Sequence, residues 1–223
     1  MGKNKLRRFA ENETFDNLFQ HTNFDALNQP FPLRGEWHSQ YFKNNNPIVL
    51  ELGCGRGEYT IGLAERFPDK NFIGIDRKGA RIWRGCKDAI EKSLKNVAFL
   101  RISIEDIESY FALNEVQEIW VTFPDPQPKK ERRRLISPNF ISKYRKFLTS
   151  NGILHLKTDS REFYDYVLET APTGNWIIVD NIPNLYNTES ISVQKEIQTF
   201  YEKKWLLEKK TIFYLSITLT PSD

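Results

Sequence analysis

The segment Glu51-Leu-Gly-Cys-Gly-Arg-Gly57 puts three glycines into five positions directly after the apolar run Ile48-Val49-Leu50. Glycine adopts positive φ without steric cost and lets main-chain N–H groups approach a ligand. A strand, this turn and a following helix therefore read as a cradle of the nucleotide-cofactor type. A dinucleotide fingerprint spaces its glycines G-x-G-x-x-G and seats a diphosphate on the helix N-terminus. Here the spacing is G-x-G-x-G, and an acid, Glu51, stands two residues before Gly53. A carboxylate there repels a diphosphate and suits a ligand end carrying ammonium and sulfonium charge, as S-adenosylmethionine does. The competing reading is a glycine-rich turn with a structural acid. Asp76 closes the next apolar run, Asn71-Phe-Ile-Gly-Ile, where a mononucleotide-binding half places the carboxylate that grips ribose hydroxyls, about twenty residues beyond the glycines. Its alternative is a cap on the helix that starts near Lys78.

A second constellation is Phe123-Pro-Asp-Pro126, in which prolines on both sides stiffen the backbone around Asp125. Methyl transfer is an in-line displacement, and holding nucleophile and carbon together supplies roughly 7 to 11 kcal/mol of such a barrier. Rigid placement of Asp125 suits that chemistry, although a turn aspartate reads the same way. Just beyond it, Lys129, Lys130, Arg132, Arg133 and Arg134 form a dense basic block. Further clusters lie at Lys3, Lys5, Arg7 and Arg8 and at Lys203, Lys204, Lys209 and Lys210. With a net charge of only +3, such clustering points to a polyanion-facing surface with salt-sensitive binding, or else to three solvated faces.

These residues need elements to carry them. Strands are expected at 48–50, 71–76, 97–102, 118–123, 151–158, 176–179 and 211–219. Helices are expected around Tyr59–Phe67, over 78–94 with Ala80, Trp83, Ala89, Ile90 and Leu94 on the buried stripe, at 104–111, from Ser137 to Leu148, and over Glu162–Glu169. A polar, partly helical insert spans about 183–210. This alternation predicts an α/β fold: a doubly wound, mostly parallel sheet with helices on both faces, in which a terminal strand runs antiparallel. Ligands of such sheets bind beyond the carboxyl ends of the strands, where Gly53, Asp76, Ser103, Asp125 and Asp159 are expected to converge. Residues 1–46 read as a basic, mobile arm, and 47–223 as the main domain.

Hydrophobic content of 39% and charged content of 27% are those of a globular protein. No apolar run approaches the ~20 residues that span a bilayer, and no signal-peptide stretch follows the basic start. Cys54 and Cys86 fit a reducing compartment, and His21, His38 and His155 show no zinc-ligand spacing. The expectation is a cytoplasmic protein with no membrane segment, no metal and no obligate protein partner, as a monomer or homodimer.

The glycine run, Gly74-Ile-Asp76, Phe123-Pro-Asp-Pro-Gln-Pro-Lys-Lys130 with its arginines, His155-Leu-Lys-Thr-Asp159 and Thr199-Phe-Tyr-Glu202 occur in this order, and from about residue 47 onward the chain resembles the tRNA (guanine-N7)-methyltransferase family. The resemblance implies a Rossmann-like, class I methyltransferase fold and transfer of the S-adenosylmethionine methyl group to guanine N7 in the variable loop of tRNA, leaving S-adenosylhomocysteine. It also implies cofactor binding by Glu51, Gly53, Gly55, Gly57, Asp76 and Ser103, an active-site role for Asp125, and substrate binding by Lys129, Arg132, Asp159, Thr199, Phe200, Tyr201 and Glu202. Ser103 stands where the family commonly has an acid, and Gln127 where it has an aromatic. Asp159 and Glu202 suit acceptors for base or ribose donors, or ion pairing with nearby lysines. Phe200, Tyr201 and Trp205 offer stacking faces, with Tyr201 and Trp205 expected to pack on the sheet.

Overall fold

A computed structural model of the chain describes residues 3–21, 29–189 and 192–220. The chain divides into two compact units, Met1–Ala112 and Leu113–Asp223.

The first unit carries α1 (Lys3–Asn12), β1 (Leu18–Gln20), a π-helix (Trp37–Phe42), β2 (Ile48–Leu52), α2 (Glu58–Arg66), β3 (Asn71–Ile75), α3 (Gly79–Glu91), β4 (Val97–Arg101) and a 3-10 helix (Ile104–Ser109). Its strands pair in parallel in the order β1-β4-β3-β2. Every residue of β2 and β3 is buried, as expected of a parallel sheet covered on both faces. On α3 the buried stripe is Ile82, Trp83, Cys86 and Ala89, whereas Ile90 is 51% exposed. Ile90 lies seven residues after Trp83, on the same side of α3, but in the last turn of the helix, where it is exposed; this corrects the expectation for Ile90.

Within the range read as a basic arm, the described residues are packed. The Asn12 side-chain amide donates to the Gly79 carbonyl at 3.0 Å, and the Arg8 guanidinium lies 4.7 Å from the Trp83 ring. Trp37 is fully buried and donates to the Tyr110 carbonyl. Polarity dominates the composition of this range, but its scattered aromatics, Phe19, Phe31, Trp37 and Tyr41, gather edge to face.

The second unit contains β5 (Val116–Thr122), a 3-10 turn (Glu131–Arg133), α4 (Pro138–Tyr144), β6 (Leu148–Thr158), α5 (Arg161–Gly174), β7 (Trp176–Ile182), a 3-10 turn (Leu185–Asn187), α6 (Val193–Glu196), α7 (Phe200–Leu207) and β8 (Phe213–Leu219). Strand β5 is parallel to β6, and β8 runs antiparallel to both β6 and β7. The crossover through α5 therefore leaves one strand position between β6 and β7, and the last strand fills it from the opposite direction. The strand order within this unit is β5-β6-β8-β7, and parallel pairs outnumber antiparallel ones over the described strands of the two units, an α/β, mostly parallel arrangement.

Candidate functional site

In the first unit the register pairs Leu52 with Ile75 and Ile75 with Leu100. Gly53, Asp76 and Ser103, which follow these strand ends, consequently share one edge of the sheet. Gly53, Gly55 and Gly57 all take positive φ, at 75°, 57° and 74°. A Cβ at Gly57 would lie 2.7 Å from the Phe99 ring, whereas one at Gly53 would meet nothing within 4 Å. The loop is thus tight against the core at one end and open at the other, and the open end is space that a side chain would fill and a ligand can take. Phe99 also fills the room left at Gly74 and Gly85, where a Cβ would sit 2.7 and 2.5 Å from its ring. One aromatic ring buttresses the glycine loop, strand β3 and helix α3 together.

The acids of this half are held by main-chain donors. Asp76, buried, accepts from the Gly55 N–H at 3.1 Å through Oδ2 and from the Lys78 N–H at 2.8 Å through Oδ1, so it ties the glycine loop to the turn after β3. Glu51, also buried, accepts through Oε2 from the Thr60 N–H at 2.8 Å and from the Thr60 hydroxyl. Its charge therefore sits against the first turn of α2, where the helix dipole favours an anion. Glu51 thus has a structural contact, whereas Asp76 bonds the Lys78 N–H before α3 without capping that helix; both carboxylates lie beside the loop. Ser103 is half-buried, with extended backbone, and starts the 3-10 helix. Burial, reinforced by Glu51 and Asp76, pushes the Cys54 thiol well up from its ordinary range, so the cysteine in the loop stays protonated and inert.

In the second unit Thr122 pairs with Lys157, so the segments leading to Asp125 and Asp159 leave the same sheet edge. Asp125 is exposed, and its Oδ1 accepts from the Gln127 N–H at 3.1 Å. Phe123 and Gln127, two residues to either side, both have φ of 48°, a left-handed conformation rare for side chains of this size. Two prolines and two left-handed residues hold this carboxylate where it is. Of the basic block, Lys129, Lys130, Arg132 and Arg133 are exposed, but Arg134 is 1% exposed. Its Nε donates to the Pro126 carbonyl at 2.9 Å, its NH2 group is bonded to Glu162, and its guanidinium lies 4.3 Å from the Tyr166 ring. The expectation that all three arginines face phosphates is corrected for Arg134, because a planar guanidinium is the cation best suited to burial on an aromatic ring and a carboxylate.

Asp159 is half-buried and lies 3.5 Å from the Lys210 ammonium. Thr199 and Glu202 form a capping box on α7, each side chain accepting from the other's main-chain N–H. Glu202 is fully buried against Lys157, which is also fully buried, at 2.7 and 2.9 Å. Its ion-pairing alternative therefore holds, although the partner lies in β6 and not in a neighbouring surface cluster. Burial pushes the Glu202 carboxyl upward while the Lys157 ammonium opposes it. Phe200 and Tyr201 are about half exposed, at 54% and 52%. Tyr201 stacks on Trp205 at 5.8 Å, and Trp205 meets Phe123 at 4.9 Å. Tyr201 thus packs on Trp205 and stays half exposed, not against the sheet as expected: Glu202 is the residue of this turn that points inward, and its neighbour Tyr201 lies about 100° away around the helix.

Lys157 and Arg134 are the residues that sequence reasoning left without these roles. A lysine that turns inward from a central strand demands a buried acceptor, and Thr-x-x-Glu is a capping-box signature. Together those signals point at the Lys157–Glu202 pair.

The family model described as "Putative methyltransferase" matches residues 45–215. A tRNA (guanine-N(7)-)-methyltransferase of Christiangramia forsetii is 50% identical over 216 residues, covering 96% of both chains. One of Bacteroides fragilis is 48% identical, covering 98% of this chain and 87% of the relative. This chain belongs to the tRNA (guanine-N7)-methyltransferase family. Among solved structures, an antibiotic-related methyltransferase aligns with a TM-score of 0.63 at 16% identity, covering 86% of this chain and 97% of its own. The 16S rRNA methyltransferase KamB aligns with the same score at 14% identity, covering 90% and 95%. At such identities the likeness concerns the fold alone. Among the described residues no helix is long and apolar enough to cross a membrane.

Proposed function

We propose that this chain transfers the methyl group of S-adenosylmethionine to N7 of a guanine in the variable loop of tRNA. The observation that carries the reading is the near-full-length identity to relatives of that name, and the chemistry of each half supports it. In the cradle, Gly53 leaves room for close approach, Asp76 stands beside it with lone pairs for ribose hydroxyls, and Ser103 offers a hydroxyl at the next strand end. Glu51 adds the negative charge that favours an ammonium and a sulfonium. When bound, the cofactor supplies an electrophilic methyl carbon.

Guanine N7 has an in-plane lone pair and no proton, so bond formation needs no general base. Methyl transfer from the bound cofactor would form the N–C bond as the C–S bond breaks, with the C–S pair kept by sulfur, and would leave the purine positively charged. Asp125 then acts as an orienter, accepting from the guanine N1–H and N2–H₂ donors and favouring the developing charge. Lys129 and Arg132, both exposed, hold phosphates. Asp159, Thr199, Phe200 and Tyr201 offer acceptors and stacking faces to unpaired nucleotides.

Incubating the purified chain with methyl-labelled S-adenosylmethionine and unmodified tRNA, then mapping the labelled base, tests the reading. Label at guanine N7 in the variable loop is the expected result. Label on another base, or on none, would overturn it.

A further inference from the structure

We infer that Lys157 is the positioning residue of the substrate half, and that Glu202 serves the reaction through Lys157 and not by touching RNA; this deepens the tRNA reading above and rests on it. The Lys157 ammonium is bonded to the Gln194 carbonyl, to the Ile197 carbonyl at 3.0 Å, and to both carboxylate oxygens of Glu202. All these acceptors lie within residues 194–202, so one side chain rising from β6 gathers α6, the turn after it and the start of α7. The same residue reaches the other side of the site. Its carbonyl accepts from the Phe123 N–H at 2.7 Å, and its ammonium stands 5.8 Å from the centre of the Phe123 ring. Phe123 is the left-handed residue from which Pro124 and Asp125 depart. Lys157 therefore joins the backbone that carries Asp125 to the segment that exposes Phe200 and Tyr201, and Asp159 follows it by two residues.

Glu202 has little left to offer a substrate. It is fully buried. Its Oε1 accepts from Lys157 and from the Tyr186 hydroxyl at 2.7 Å, and its Oε2 from Lys157 and from the Thr199 N–H at 3.3 Å. A base or ribose could reach this carboxylate only by displacing the lysine. A buried ion pair of this kind contributes little net stability, but removing one partner strands the other charge, while removing both charges does not.

The test follows from that asymmetry. Lys157→Met, Glu202→Gln and the double variant are compared with the wild type by tRNA methylation kinetics, S-adenosylhomocysteine affinity and amide hydrogen exchange. Each single change is expected to lower kcat on tRNA by roughly 10²-fold, the scale of a misplaced reacting group. Amides of 193–207 should exchange faster, while S-adenosylhomocysteine affinity and the protection of Gly53–Thr60 stay unchanged. In the double variant both the activity and the protection of 193–207 should exceed those of either single variant, and Lys157→Arg, which keeps charge and donors, should lie closest to wild type. A double variant no more active than Glu202→Gln would mean that the carboxylate meets RNA directly. One whose 193–207 amides exchange as fast as in Lys157→Met would mean that the pair does not hold the segment. Either result overturns the inference. Exchange needs no tRNA, so it decides the positioning role even if the tRNA activity itself is not found.

Discussion

The glycine cradle of the first unit and the substrate half of the second are built by opposite means. In the cradle, backbone does the holding. Asp76 and Glu51 accept from main-chain N–H groups, and Phe99 packs into the room left at Gly57, Gly74 and Gly85. In the substrate half, buried side-chain charges hold the backbone: Arg134 grips the Pro126 carbonyl, and Lys157 grips three acceptor groups of the insert. A site made of backbone and glycine is sensitive to added volume, whereas one hung on buried cations is sensitive to removal of charge. The difference matches the ligands proposed for each. A small cofactor is met by close approach, and a large polyanion by an array of exposed side chains that something beneath must orient.

The sharpest break of this comparison is at Asp125. Replacing it by Asn should lower kcat on tRNA by roughly 10²–10³-fold, as for loss of one preorganised electrostatic partner, with S-adenosylhomocysteine affinity unchanged. An Asn variant that methylates tRNA at the wild-type rate would remove Asp125 from the reaction.

Next in size is the contrast inside the basic block. Arg134→Lys should reduce kcat by about 10²-fold through displacement of the loop that carries Asp125, and leave the salt dependence of tRNA binding as in the wild type. Ala at both Arg132 and Arg133 should instead raise KM and reduce the salt slope by roughly one for each phosphate no longer neutralised. Equal salt slopes for the two variants would erase the distinction between the buried arginine and the exposed ones.

Volume is the cradle's own weak point. Gly85→Ala places a Cβ about 2.5 Å from the Phe99 ring and 2.9 Å from the Arg56 carbonyl, so urea unfolding should show a loss of about 1–3 kcal/mol. Adding Phe99→Leu should recover part of that loss, and an Ala variant as stable as wild type would show that the ring does not set the spacing.

The smallest effect concerns pH. Burial pushes both the Cys54 and Cys86 thiols up, so in the folded chain they bind protons more tightly than in the unfolded chain. Their contribution to stability is complete below the unfolded thiol value, about 8.5, and is lost as pH rises beyond it, because there the unfolded state releases the proton first. Urea midpoints measured across this range should fall with pH, and Cys86→Ala should flatten the fall.

The parts legible in the sequence are those decided by local rules. Alternating apolar runs mark the strands of both units, glycine spacing marks the cradle, and flanking prolines mark the rigid acid. The antiparallel last strand is legible too, since no crossover helix of ordinary length precedes Thr211–Leu219. The packing of the described part of the first 46 residues is not, because its apolar content is a few aromatics spread among polar residues, too sparse to form a period. Pattern also misplaces Ile90 and Tyr201, because apolar spacing does not say how far along a helix the covering surface extends or which side of the helix it meets.

Residue type and spacing alone settled the α/β alternation, the glycine loop and the acids that follow the strand ends, because each depends on neighbours within a few positions. Which cations face outward and which turn inward was left to tertiary structure. Arg134 reads like Arg132 and Arg133 in the chain, and Lys157 like any strand lysine, until Glu162 and Glu202 arrive from 28 and 45 residues away. A charge enters the interior only where its partner is already placed, and that placement is a property of the folded chain.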